Sequence, residues 1–254
     1  MRTLRPALAA WLASLAALAA AGLAEARPLL PDLVQKAPYK VSVVERHGRY
    51  LLAFASATEN VGEGPLAIAG RRAGARPVME ARQIIRRTDG PSRFRALGPL
   101  LAFHALNGHE HWHLTRFARY SLRAEGETAG VRARKAGFCL GDRYRSVLVP
   151  SAPQRWHHQC GLGRRDLTRI RQGISVGWGD AYAPGVHGQW VSLRGVRAGR
   201  YVLAHRANPG GFLRESDYEN NASSVLLELT RAPGERPRVR MLASCPGAAS
   251  CSDR

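Results

Sequence analysis

Beyond residue 26 the chain breaks into short apolar–polar runs separated by Gly, Pro, Asn and Asp, and several of these runs alternate with a period of two. They predict strands over Tyr39–Arg46, Arg49–Ser56, Pro65–Ala69, Ala81–Arg87, His111–Arg123, Gly173–Trp178, Gln189–Arg194, Arg200–Arg206 and Ser223–Thr230. Val196-Arg197-Ala198-Gly199 is a tight connection between two of them. No amphipathic helix of useful length emerges, and Asp166–Gln172 offers a turn or two at most. Turn signals at this spacing predict an all-β fold: one sandwich-like domain over 27–245 with long irregular loops and little helix. From Ala232 onward the chain is rich in Pro, Ser, Gly and Arg and reads as irregular, ending in a tail over 246–254.

The first 26 residues are a different object. Arg2 and Arg5 precede an Ala/Leu-rich stretch from Pro6 to about Leu23, and Ala24-Glu25-Ala26 fits a small-x-small cleavage site. This predicts a secretion signal over 1–26 and a mature protein that is secreted or periplasmic. A transmembrane anchor is the weaker alternative, because the stretch is barely long enough to span and a cleavage site follows. No later segment approaches a membrane span. In an oxidising compartment the four cysteines, Cys139, Cys160, Cys245 and Cys251, suit two disulfides.

With 254 residues, 45% of them hydrophobic and 22% charged, the chain is neither a disordered tail nor a coiled coil. Its formal charge is +19, and only three of its 38 basic residues are lysines: Lys36, Lys40 and Lys135. Such a surface attracts anionic partners in general. No basic run carries the interleaved aromatics of a nucleic-acid module, so no specific nucleic acid is expected.

His109-Glu110-His111-Trp112-His113 is the sharpest local signal. On a strand, i, i+2 and i+4 share a face, so three imidazoles converge while Glu110 and Trp112 face away. Converging neutral imidazoles suit Cu, Zn, Ni or Fe, with affinity favouring copper. The same residues spell H-E-x-x-H, a zinc-protease motif, but that chemistry needs a helix. Asn107-Gly108 and the ring-rich residues that follow oppose one.

Further along stand Pro31-Asp32-Leu33-Val34, Arg134-Lys135-Ala136-Gly137-Phe138-Cys139-Leu140, Gln172-Gly173-Ile174-Ser175-Val176-Gly177-Trp178-Gly179-Asp180-Ala181-Tyr182, Gln189-Trp190 and Glu215-Ser216-Asp217-Tyr218-Glu219-Asn220-Asn221. In this order, around the histidine run, they resemble the catalytic domain of the lysyl oxidase family in its bacterial form. The resemblance spans nearly the whole mature chain. It implies a copper amine oxidase that converts primary amines, including peptidyl lysine, to aldehydes with O₂, releasing hydrogen peroxide and ammonia. Its cofactor is a lysine tyrosylquinone made from the protein's own side chains. By this resemblance His109, His111 and His113 are copper ligands, Lys135 is the cross-linking lysine, and Tyr182 is the tyrosine that becomes the quinone. A primary amine is what quinone addition requires, and a guanidinium would not serve. Asp180 is a candidate base, with His104, His157 and His158 as further candidates.

The resemblance also implies calcium, held between Asp32 and Leu33 and the oxygen-rich Glu215, Asp217, Asn220 and Asn221. Cys139 and Cys160 match family cysteines whose usual partners are missing, which implies pairs Cys139–Cys160 and Cys245–Cys251. Gly108, Gly188 and Trp178 replace animal cysteines, and Arg119 replaces an animal histidine sometimes assigned as base. The competing function is an exported copper-binding β-domain without turnover.

Overall fold

A computed structural model describes residues 26–105, 110–133, 135, 137–157, 159–184 and 188–253. The secretion signal expected over 1–26 therefore lies outside the described residues apart from Ala26, as do His109 and His158. Among the described residues there is no helix, and every strand pairing is antiparallel. The all-β expectation holds.

The strands form three sheets. The first runs from Gly137–Phe138 through His111–Thr115, Arg93–His104, Val78–Arg87 and Leu66–Arg71 to Arg169–Ile174, with Pro28–Leu29 on its flank. The second is built on the long strand Arg49–Asn60, which pairs with Leu33–Gln35, Tyr39–Arg46, Trp178–Tyr182 and Trp190–Ser192. The third orders Val131–Arg132, Ala118–Ala124, Gly199–Ala207, Ala222–Thr230 and Arg238–Cys245. A common core between them buries Phe54, Trp112, Phe117, Tyr120 and Phe138 with Leu33, Leu66, Ile68 and Leu101.

Several expected elements change. His111–Arg123 is two strands, because Arg116 takes a left-handed φ of 63° and turns the chain between Thr115 and Ala118. Gly173–Trp178 likewise splits into Arg169–Ile174 and Trp178–Tyr182 around a turn in which Gly177 has φ 72°. Asp166–Gln172 supplies no helical turn; its second half pairs with Leu66–Arg71. The region after Ala232 is not irregular throughout, since Arg238–Cys245 adds an outer strand to the third sheet. Arg93–His104, interrupted by Gly98 and Pro99, was not expected as a strand at all, yet it bridges the histidine strand to the rest of its sheet. Among the described residues no helix is long and apolar enough to cross a membrane.

Two devices fix the loop that separates Cys139 from Cys160. Both expected disulfides form, Cys139–Cys160 and Cys245–Cys251. Inside the first loop the buried Asp142 carboxylate accepts hydrogen bonds from the backbone N–H groups of Arg155, Trp156 and Ser175 and from the Ser175 hydroxyl. The cysteines lie 21 residues apart, so cross-linking them lowers the entropy of the unfolded chain by an amount equivalent to about 3 kcal/mol. Replacing both by serine should therefore lower unfolding stability in urea by about 3 kcal/mol while preserving the β-sheet circular dichroism. A stability equal to that of the parent would show that Asp142 alone holds the loop.

Candidate active site

The site is assembled where the second sheet meets the segment 135–143. Asp180 and Tyr182 are two residues apart on one strand, so the period of two places both side chains on the same face. On the opposite face Gly179 leaves room for Tyr144; a Cβ there would stand 2.3 Å from its ring. The strand is held in register by Arg49–Asn60, with Ser56 opposite Tyr182 and Thr58 opposite Asp180.

Tyr182 is buried, and its hydroxyl lies 2.7 Å from Asp180 Oδ2 and 2.9 Å from the Cys139 carbonyl oxygen, two acceptors for one proton. The other carboxylate oxygen of Asp180 accepts from Arg143 Nε at 2.7 Å, and the Arg143 guanidinium lies 5.2 Å from the Tyr182 ring centroid. Asp180 is completely buried. Burial pushes its pKa up to about 6, against the pull of Arg143 and the Tyr182 hydroxyl. Burial also raises the Tyr182 phenol well above its usual range, and Asp180 adds to this.

Lys135 completes the group. Its Nζ stands 4.5 Å from the Tyr182 ring centroid and 4.8 Å from that of Phe138, whose ring meets Tyr182 edge-on at 5.3 Å. Loss of water lowers the lysine pKa to about 8; Asp180 opposes that shift and Arg143 adds to it. Roughly a tenth of the amine is thus neutral, and nucleophilic, at pH 7, far more than for an exposed lysine. Gly188, at φ 77°, packs on the lysine backbone so closely that a Cβ would come within 2.9 Å of the Lys135 Cα. Any side chain at this position would meet that contact as well as the strained φ.

The histidine strand adjoins this segment. Gly137–Phe138 pairs with Leu114–Thr115, and a Cβ on Gly137 would approach the His113 Cβ to 2.6 Å. His111 and His113 share one face, as alternation requires, with Nε2 atoms 2.8 Å apart. The His104 ring packs edge-on against His113 at 4.5 Å from the neighbouring strand. His109 lies outside the described residues, and among those described no three His, Cys, Asp or Glu side chains form a metal-holding group. His111–Thr115 is a strand, so the helix that the zinc-protease motif needs is not there. Of the other candidate bases His157 is exposed; Arg119, which is not one of them, lies on the exposed outer face of its strand while Tyr120 beside it turns inward.

On the other side of the strand Arg49–Asn60 the expected calcium residues come together. Glu215 is buried and accepts from the Leu33 N–H and from the Asn208 and Asn221 side-chain amides. Asn220 donates to Asp32 at 2.7 Å. The side-chain oxygens of Asn220 and Asn221 are buried without a hydrogen-bond partner. Asp217 instead accepts from the Glu219 N–H in its own turn. Sequence reasoning missed Asn208, and more importantly Arg143. Arg143 carries no motif of its own in a chain crowded with arginine, and only the fold reveals it beside a buried carboxylate.

Fold and site together define an all-β protein with a paired lysine and tyrosine in its core, next to a histidine-bearing strand. The lysyl oxidase family model matches residues 69–234, and the chain belongs to the lysyl oxidase family. It is 31% identical over 202 residues to protein-lysine 6-oxidase of Rattus norvegicus, covering 76% of this chain and 44% of that protein. With protein-lysine 6-oxidase of Sus scrofa the identity is also 31% over 202 residues, covering 76% and 74%. Lysyl oxidase homolog 2A of Danio rerio is 32% identical over 136 residues, 52% of this chain and 17% of that protein. The chain thus spans less than half the length of the rat and fish relatives.

The Arg143–Asp180 pair has a measurable consequence. Because the folded Asp180 pKa lies above that of an exposed aspartate, its contribution to stability is complete below the unfolded pKa and falls as pH rises toward 6. In Arg143→Ala the buried carboxylate loses its cation, so the fall should continue above pH 6. At pH 7 the variant should be about 3 kcal/mol less stable than the parent. Urea unfolding of both proteins from pH 4 to 8 measures this; parallel curves across the range would contradict it.

Proposed function

We propose that the protein is an exported copper-dependent amine oxidase of the lysyl oxidase type, acting in the periplasm or outside the cell. Its substrates are primary amines, with peptidyl lysine favoured by the names of its protein-lysine 6-oxidase relatives. The observation that carries the reading is the placement of the half-buried Lys135 amine 4.5 Å from the centroid of the buried Tyr182 ring. A passive metal-binding domain has no need to bury a cation against a phenol.

The residues present fit both groups that this activity requires. His109, His111 and His113 would hold the copper, and the convergence of the His111 and His113 Nε2 atoms supports an imidazole donor set. Lys135 and Tyr182, once joined, would be the quinone. When present, copper with O₂ would supply the oxidising power, and the quinone the carbonyl, for converting a primary amine to an aldehyde with release of hydrogen peroxide and ammonia. Asp180 accepts the Tyr182 phenol proton at Oδ2, and Arg143 holds Asp180 in place through Oδ1. Phe138 flanks the amine, and Gly188 packs on the Lys135 backbone, so the lysine is held beside the ring it must reach.

The test is hydrogen peroxide release from copper-loaded, aerated protein across a panel of primary amines and a lysine peptide. Release with at least one amine is expected, and Lys135→Arg and Tyr182→Phe should abolish it while retaining copper. Copper binding with no peroxide from any amine would instead establish the non-catalytic copper-binding domain.

The same reading assigns calcium to Asp32, Leu33, Glu215, Asp217, Asn220 and Asn221. Two unpartnered amide oxygens beside the buried Glu215 and half-buried Asp32 carboxylates are the donors a hard cation takes. Calcium at about 100 times its Kd should stabilise chelator-treated protein by about 2.7 kcal/mol, or roughly 5–10 °C in Tm. Glu215→Gln should lose most of that gain. A Tm indifferent to both chelator and calcium would remove the site.

A further inference from the structure

The third sheet has an outer face that takes no part in the chemistry above, and its arginines fall into two groups. Arg200 and Arg240 each sit against an acid, Glu125 at 2.8 Å and Glu228 at 3.0 Å. Arg119, Arg123, Arg132 and Arg206 form no ion pair among the described residues, yet they surround one cavity of about 430 Å³ that no acidic residue lines.

Register explains the shape of that cavity. Arg119 lies directly opposite Arg206, and Arg132 lies opposite Ser121, which in turn faces Ala204. Small side chains thus make the floor and guanidiniums the rim. One wall is the turn closed by Cys245–Cys251, where Ala249 accepts a hydrogen bond from Arg123 Nη2 and Ala248 accepts one from the Ser224 hydroxyl. Two like charges directly opposite on neighbouring strands cost stability. The chain carries this cost at the edge of the cavity, while Arg200 and Arg240 on the same sheet are neutralised.

We propose that this cavity is a binding site for an oxyanion-bearing ligand of the phosphate or sulfate class. Planar guanidinium forks match such groups bidentately, and convergent arginines without acids select for them. The site lies on the far side of its strand from the core. Tyr120 points inward to hydrogen-bond Ser56, while Arg119 and Ser121 point out, so an anion here need not enter the oxidation site.

The experiment titrates the full mature protein with two probes, inorganic tripolyphosphate and a sulfated disaccharide, by calorimetry, against sodium chloride of matched ionic strength. At least one probe should bind the parent one to one, and the tighter of the two identifies the source of the oxyanion. Arg119→Gln/Arg206→Gln should weaken that binding at least tenfold, about the loss of two charge-assisted pairs. Arg194→Gln/Arg197→Gln, which removes equal charge from an exposed turn away from the cavity, should leave it unchanged. Without added anion, at low ionic strength, the Arg119/Arg206 variant should melt at or above the parent temperature. The proposal is overturned if neither probe binds beyond the salt control, or if both double variants weaken binding equally. A lower melting temperature for the anion-free Arg119/Arg206 variant would also overturn it, because those arginines would then brace the sheet.

Discussion

The carboxylate of Asp180 is the constraint around which the rest of the site is arranged. A fully buried carboxylate is costly unless it is paired and hydrogen-bonded, and here each oxygen has its own partner: Arg143 at Oδ1 and the Tyr182 hydroxyl at Oδ2. Because those partners come from different parts of the chain, satisfying one charge fixes the relative positions of the segment 135–143 and the strand Trp178–Tyr182. Lys135 is carried into place by the same segment. Its amine meets the tyrosine ring in a setting that leaves it partly neutral, since burial brings its pKa to about 8.

The fold spends structure on holding that arrangement. The Cys139–Cys160 bond closes the loop that holds Arg143, and Asp142 pins the same loop to Ser175. Phe138 packs against Tyr182 on one side and Phe117 on the other, tying the site to the common core. Gly137 and Gly188 permit approaches that any side chain would block, one against the histidine strand and one against Lys135. A hydrogen-bonded trio, Gln189 to Ser56 to Tyr120, ties the neighbouring strands together in the buried interior. The result is a preorganised pair of reactive groups whose neighbours have little room to move.

Much of this was legible from residue types alone, and the failures have physical causes. Alternation identified Tyr39–Arg46, Gly199–Ala207 and Ala222–Thr230 to within a residue or so, because each has at least one partner strand on an apolar face. It missed Arg93–His104, whose Gly98 and Pro99 look like a break but sit where the pairing with Val78–Arg87 shifts register. It missed Arg238–Cys245 because an outer strand can be basic and exposed and still complete a sheet. The turn at Arg116 was hidden, since a left-handed φ at arginine leaves no compositional mark. Lys135, Tyr182 and Asp180 were found through ordered motifs, while Arg143 was invisible for want of one. Its role depends on the dielectric around Asp180, which only the packed structure reveals.

The central claim is that this arrangement exists to join Lys135 to Tyr182, and peptide mapping tests it most directly. Protein expressed without copper, then loaded with copper in air, is digested and analysed by mass spectrometry beside an anaerobic control. The account predicts a Lys135–Tyr182 cross-linked peptide and new visible absorbance in the aerated sample only, both absent from Lys135→Arg, Tyr182→Phe and His113→Ala. Fully copper-loaded, aerated protein that still yields separate Lys135 and Tyr182 peptides would contradict it.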